Sequence, residues 1–196
     1  MHWVNGRSAM METIIGLGGG PWPTFRRYQM ERLSEKLPEP SIGSSIMMLP
    51  YEPGLLQDHA DALALAFSDS DDRMLFPILA SREGCMELMR EIARRWDFVP
   101  GATWLAMSPI GPVGTIQGLR TGPVGMIQNV GVVPQSRGKG IGKSLLASAI
   151  TGYALAGIPK VQLEVSANNE GAVRLYRGMG FRQTNELFKP AATILV

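Results

Sequence analysis

A mixed α/β fold is what the sequence predicts, on three observations. Pro123–Val133 is rich in β-branched residues, the composition of a strand. Lys143–Ala156 lacks proline and is rich in Leu and Ala, the composition of a helix. Between them, residues 137 to 142 read Arg-Gly-Lys-Gly-Ile-Gly, a glycine-rich turn that opens the helix. Such a turn leaves backbone N–H groups unpaired at the positive end of the helix dipole, where phosphate or pyrophosphate binds. Arg137, Lys139 and Lys143 add positive charge around it. A phosphorylated ligand is therefore expected at this point of the chain.

The other elements follow in order. Residues 1–45 read as an irregular arm, with Gly18 to Gly20 clustered and Pro21, Pro23, Pro38 and Pro40 around one predicted helix, Phe25–Leu37. Its Arg26, Arg27 and Arg32 are offset by Glu31 and Glu35, the pattern of a solvated face rather than a nucleic-acid contact. Residues 46–196 form the single expected domain. A strand begins at Ile46 and a helix spans Pro53–Phe67; the loop Ser68–Pro77 carries Asp69, Asp71, Asp72, Arg73 and Phe76. A second helix, Arg82–Trp96, precedes strands at Thr103–Ser108 and Val113–Leu119 and the long strand ending at Val133. The glycine-led helix, a strand at Val161–Val165, a helix at Asn169–Gly178 and a terminal strand pair complete the series. The meander holds a near-repeat, Gly114-Thr115-Ile116-Gln117 and Gly125-Met126-Ile127-Gln128. A two-residue loop at Thr121-Gly122 would pair Ile116 with Ile127 on one face and set Gln117 and Gln128 on the other.

Bulk properties bound the function. With 196 residues, 45% hydrophobic and 18% charged, the chain suits one packed domain. A net charge of +2 gives no reason to expect nucleic acid or a membrane surface, and no apolar run approaches the ~20 residues of a bilayer span. Glu12 precedes the short Ile14–Leu17 stretch and no cleavage site follows, so no signal peptide is read. One cysteine, Cys85, permits no internal disulfide and suits a reducing cytoplasm. With only His2 and His59 besides, no metal site is expected. Cys85 shares a helical stripe with Leu88, Met89, Ile92 and Trp96 and reads as a core thiol; His59 reads as a helix-face histidine.

Spacing narrows the ligand. A Walker A loop ending at Gly142-Lys143-Ser144 needs glycine at 137, which is Arg137. A dinucleotide fingerprint from Gly138 needs glycine at 143, and one from Gly140 needs it at 145; these are Lys143 and Leu145. What remains is R-x-x-G-x-G, with Arg137, Gly140 and Gly142 fixed. A second block, VQLEVSANNEGAVRLYRGMGF at 161–181, contains N-x-x-A-x-x-L-Y-x-x-x-G-F as Asn169, Ala172, Leu175, Tyr176, Gly180 and Phe181. Two blocks in this order, one helix apart, resemble the acetyl-CoA-binding core of the GNAT superfamily of N-acetyltransferases.

The resemblance implies a three-layer α/β fold, a central, mostly antiparallel sheet of six to seven strands flanked by about four helices. It implies direct transfer of an acetyl group from acetyl-CoA to a primary amine of a small molecule or protein. Acetyl-CoA is the acyl donor, no metal takes part, and a homodimer is allowed. Backbone N–H groups of Gly138, Lys139, Gly140, Ile141, Gly142, Lys143 and Ser144 would take the pyrophosphate, with Arg137 supporting the loop. The backbone of Val130, Gly131, Val132 and Val133 would pair with pantetheine amides, Gly131 being the expected place of a bulge, as that strand splays from Val161–Val165. Tyr176 is the implied general acid for the leaving thiolate, or an aromatic anchor; Asn169 is a CoA contact, a helix cap, or both. Family members often carry a glutamate on the long strand. Here Pro123–Val133 offers only Gln128 and Asn129, so no general base is assigned, and Glu164 lies on the neighbouring strand. The acids of Ser68–Pro77 read as a solvated, helix-capping loop before a lure for a cationic amine. A noncatalytic acyl-CoA-binding module and a nucleotide-dependent regulator stay open beside the enzyme.

Overall fold

The computed structural model describes residues 24–38, 42–70 and 72–190. Seven strands form one sheet: β1 (Thr24–Leu33), β2 (Met47–Pro50), β3 (Trp104–Ser108), β4 (Gly111–Thr121), β5 (Val124–Val132), β6 (Lys160–Ser166) and β7 (Arg182–Pro190). The helices are α1 (Leu56–Ala66), a single turn α2 (Asp72–Leu75), α3 (Arg82–Arg94), α4 (Ile141–Leu155) and α5 (Glu170–Gly178). The strand order is β2-β3-β4-β5-β6-β1-β7, antiparallel throughout except for β5 with β6. The mixed three-layer α/β expectation is met.

Each sheet face has its own helices. Under α4 and α5 lie Ile116, Ile127, Val161, Leu163 and Val165, packed with Leu145, Ile150, Tyr153 and Val173. On the other face, α1 and α3 bring together Ala60, Leu63, Leu79, Cys85 and Met89. Cys85 is the core thiol expected, and burial pushes its pKa up to about 11, so it stays protonated at neutral pH. Trp96 leaves the predicted stripe: α3 stops at Arg94 and the indole is exposed.

The segment read as a helix at Phe25–Leu37 is strand β1, which lies between β6 and β7 and pairs antiparallel with both. Its side chains alternate. Tyr28 and Met30 turn to the α4 core, while Arg27, Gln29 and Glu31 stand opposite Ser166, Glu164 and Gln162 on the other face. Backbone partners on both edges outweigh a helix propensity that the residues carry only weakly. The terminal strand pair is likewise corrected: β7 takes β1 as its partner, and residues 191–196 lie outside those described.

The β4–β5 hairpin differs in register from expectation. Thr121 pairs with Val124, so the loop is Gly122-Pro123. Gly122 supplies a φ of 55°, and Pro123, which has no N–H for the ladder, stays out of the strand. Ile116 then faces Val130, and Ile127 faces Gly118. A bulge restores the pattern: Asn129 opposes Gln117, Ile127 opposes Gly118, and Gln128 is the extra residue. Both isoleucines still reach the α4 core. The bulge is therefore at Gln128 and not at Gly131, which pairs regularly with Thr115. Gly131 is glycine for another reason, since a Cβ there would come within 2.6 Å of the Ala66 Cβ on α1.

Candidate active site

The parallel contact of β5 with β6 is short. It runs from Val124↔Lys160 to Met126↔Gln162 and stops one residue before the bulged stretch. A bulge bends and twists its strand, so β5 leaves β6 at this point. From Val130 to Val132, β5 is held by β4 alone, and Val133 N–H donates to the Val113 carbonyl at 2.9 Å. The edge turned toward β6 carries backbone donors and acceptors with no strand beside them among the described residues. An extended amide chain fits such an edge.

The gap leads to the glycine turn. Gly140 is the N-cap of α4 with φ 83°, and Gly138 has φ 76°, so both hold left-handed backbone that side chains disfavour. No side chain caps the first turn of α4. Its N–H groups, at Ile141, Gly142 and Lys143, therefore stay available to an anion. Gly138, Lys139, Gly140 and Lys143 are exposed, and Lys139 Nζ rests on the Gln135 carbonyl at 3.0 Å. A Cβ on Gly142 would lie 3.2 Å from Leu175, so this glycine also lets α4 approach α5. Ile141 and Ser144 are buried, and the Ser144 hydroxyl turns back to the Gly140 carbonyl. A left-handed, uncapped, exposed helix entry at the end of a split sheet fits a pyrophosphate with an amide-bearing arm.

Arg137 serves the loop from behind. Its guanidinium donates to both carboxylate oxygens of Asp69 at 2.9 Å, to the Ala66 carbonyl at 2.8 Å and, through Nε, to the Val132 carbonyl at 3.0 Å. It thus ties the turn to the end of α1 and to the acidic loop. Asn169 caps α5, its Oδ1 accepting from Ala172 N–H at 3.0 Å.

Tyr176 is buried on α5, edge-on to Phe181 with ring centroids 5.9 Å apart. Burial, reinforced by the Asp72 carboxylate and opposed by Arg27, raises its proton affinity well above that of a free phenol. The ring anchors the core and the hydroxyl remains neutral.

Sequence reasoning missed the groups around it. Arg27, from β1, donates to Asp72 Oδ1 at 2.8 Å and to Ser166 Oγ at 2.9 Å, and its guanidinium lies 5.3 Å from the Phe76 ring. Ser166 Oγ donates to Asp72 at 2.6 Å. Glu164 meets Lys189 at 2.5 Å and Arg27 Nε at 3.6 Å. Asp69 pairs with Arg137 yet stays exposed, as a solvated loop would have it, whereas Asp72 is largely buried against Arg27, which corrects that reading for Asp72; Asp71 lies outside the described residues. His59 lies on a face of α1, as read, and that face is turned inward. It is fully buried, with Nδ1 2.7 Å from Thr115 Oγ1, which also accepts from Gln117 Nε2 at 2.5 Å. Among the described residues, His59 Nε2, Gln117 Oε1 and Asn129 Nδ2 are buried without a hydrogen-bond partner. Only the polar near-repeat hinted at this cluster. Among the described residues no group of three or more potential ligands is placed to hold a metal ion.

Residues 67–181 match the acetyltransferase (GNAT) family. The chain belongs to that family. It is 29% identical over 187 residues to a mycothiol acetyltransferase from Nocardiopsis dassonvillei, a match covering 88% of this chain and 52% of that protein. A mycothiol acetyltransferase from Thermobispora bispora is also 29% identical, over 79% of this chain and 52% of its own length. The chain spans about half the length of these curated relatives. A GCN5-related N-acetyltransferase from Sphaerobacter thermophilus shares the fold with a TM-score of 0.63 at 24% identity, over 95% of this chain and 57% of that one. An aminoglycoside N-acetyltransferase solved with coenzyme A does so with a TM-score of 0.57 at 16% identity, over 79% of this chain and 95% of its own.

Proposed function

We propose that this GNAT member is an acetyl-CoA-dependent N-acetyltransferase acting on a primary amine. The observation that carries the reading is the β5–β6 split running into the uncapped N-terminus of α4 behind Gly140. The N–H groups of Lys139 to Lys143 hold the pyrophosphate, with Arg137 bracing the turn; the Ser144 N–H, expected to join them, donates instead to the Gly140 carbonyl at 3.0 Å. The free edge of Val130–Val132 pairs with the pantetheine amides; Val133, expected to join them, spends its N–H on Val113 and its carbonyl on Ser136. Asn169, whose Oδ1 caps α5, offers its Nδ2 to the same arm. In the transfer, the amine nitrogen forms a bond to the thioester carbonyl carbon, the C–S bond breaks, and sulfur leaves with the electron pair. Tyr176 passes its phenolic proton to that sulfur, and the proton released by the nitrogen returns through water to the phenol oxygen. Arg27 offsets part of the rise in proton affinity that burial and Asp72 impose on the phenol. β5 carries no carboxylate, so no general base is assigned on that strand and the amine loses its ammonium proton to water before it attacks. The same absence favours a second reading, an acyl-CoA-binding module without turnover.

No helix among the described residues is long and apolar enough to cross a membrane. We place the enzyme in a reducing cytoplasm, where the lone Cys85 stays a thiol.

Calorimetric titration with acetyl-CoA, beside ATP and NAD, tests the cofactor, and release of free thiol with an amine separates enzyme from binding module. Selective binding of acetyl-CoA is expected, lost in a folded Gly140→Glu variant whose carboxylate would stand where the pyrophosphate belongs. Unchanged affinity in that variant would remove the loop assignment. No binding by the wild type would remove the function.

A further inference from the structure

Between α3 and the sheet lies a pocket of about 190 Å³ whose walls include Leu88, Ile92 and Leu119. It opens at a telling place. Gln128, the residue that the bulge adds to β5, lines it. The bulge is also where β5 parts from β6, so Gln128 borders both the pocket and the split. Two carboxylates on α3, Glu87 and Glu91, are exposed and line the same pocket. Arg95 lines it too, but its guanidinium is engaged by Asp97 at 2.6 Å, and Arg90 lies 3.6 Å from Glu87.

Three chemical demands on an occupant follow. The apolar walls reward a hydrocarbon group and penalise hydroxyls that would lose water without finding partners. A pocket of this size takes one leucine- or phenylalanine-sized side chain. The two glutamates attract an ammonium and repel a carboxylate close to it.

We propose that the pocket receives the apolar side chain of the acceptor, an α-amino compound whose carboxyl group is blocked as an amide or a peptide bond. This rests on the acetyl-transfer reading above and names the acceptor class of that site. The side chain seats against Leu88, Ile92 and Leu119; the Gln128 amide meets the first carbonyl; the α-amine lies at the split.

The test uses the full chain with saturating acetyl-CoA, thiol release as readout, and six acceptors. These are leucinamide, phenylalaninamide, glycinamide, free leucine, a leucine-initiated tetrapeptide and an aminoglycoside. Leucinamide and phenylalaninamide are expected to exceed glycinamide in kcat/KM by on the order of 10-fold or more, the worth of one buried apolar side chain. Free leucine should fall below leucinamide, and the tetrapeptide against leucinamide distinguishes a peptide from a small-molecule source. Leu88→Asp should erase the preference for leucinamide over glycinamide while acetyl-CoA binding, read by calorimetry, stays intact; Leu88→Ala should reduce it. Equal rates for glycinamide and leucinamide, a preference for the aminoglycoside, or a preference untouched by Leu88→Asp would overturn the proposal. So would thiol release from none of the six by a protein that binds acetyl-CoA, an outcome that leaves acetyl transfer to some other amine standing. Failure to bind acetyl-CoA at all would instead remove the acetyltransferase reading.

Discussion

His59 has no exposed surface, and its imidazole reaches Thr115 on the strand below α1. Burial lowers its pKa from 6.5 to about 4, so the folded protein keeps it neutral where the unfolded chain protonates it. Stability is therefore full above pH 6.5 and falls as pH drops from 6.5 toward 4, by on the order of 3 kcal/mol for this group. Melting temperatures measured from pH 7 to 4.5 should fall less steeply in His59→Gln than in the wild type; parallel slopes would place the acid sensitivity elsewhere. Tyr176 invites a separate experiment, because its ring packs against Phe181 while only its hydroxyl bears on the reaction. Tyr176→Phe should lower kcat roughly 10- to 100-fold and leave acetyl-CoA affinity nearly unchanged. Full turnover in this variant would reduce the residue to packing. At this scale the motif residues were legible, since Arg137, Gly140, Gly142, Asn169 and Tyr176 follow a fixed spacing. Arg27, Asp72 and Ser166 were not: they meet across 139 and 94 positions of sequence, a separation that no local pattern encodes.

Among elements, the acidic loop after α1 is fastened from two sides. Arg137 grips Ala66 and Asp69, and Arg27 grips Asp72. The Asp69 pair is half-exposed and so contributes little by charge, within about 1 kcal/mol. The Arg137 bonds to the Ala66 and Val132 carbonyls carry more, because they fix the glycine turn against α1 and β5. Arg137→Ala is expected to weaken acetyl-CoA binding by about tenfold, a cost of ~1.4 kcal/mol, and Asp69→Asn by no more than about twofold. Calorimetry on both variants checks the ranking, and equal losses would contradict it. Most helices and strands were readable from periodicity to within a few residues. The hairpin register was not, because the Gly122-Pro123 loop and the bulge at Gln128 each shift it, and only their combination returns Ile127 to the core. Strand β1 escaped because its alternation is mostly polar and its two partners are the last strands described.

For the molecule as a whole, β1 joins the second half of the sheet. It pairs over Arg27–Leu33 with β6 and over Thr24–Glu31 with β7, and its Met30 is fully buried. A chain begun at Ile46, as the sequence alone would divide the domain, leaves β6 and β7 with no strand between them and removes Arg27 from Asp72. Such a truncation should lose cooperative thermal unfolding together with acetyl-CoA binding. A sharp melt and normal affinity would show that β1 is dispensable.

The position of β1 also sets a timetable. The strand is made before β2 to β7, yet Tyr28 has Val165 on one side and Glu186 on the other, both translated much later. Until then its edges have no native partner, and closing so long a loop is a slow, entropically costly step. Nascent chains are thus expected to hold β2 to β5 with their helices as a partial fold first. The sheet closes when β1 is captured between β6 and β7, so the fold is complete only once both of those later strands have been made.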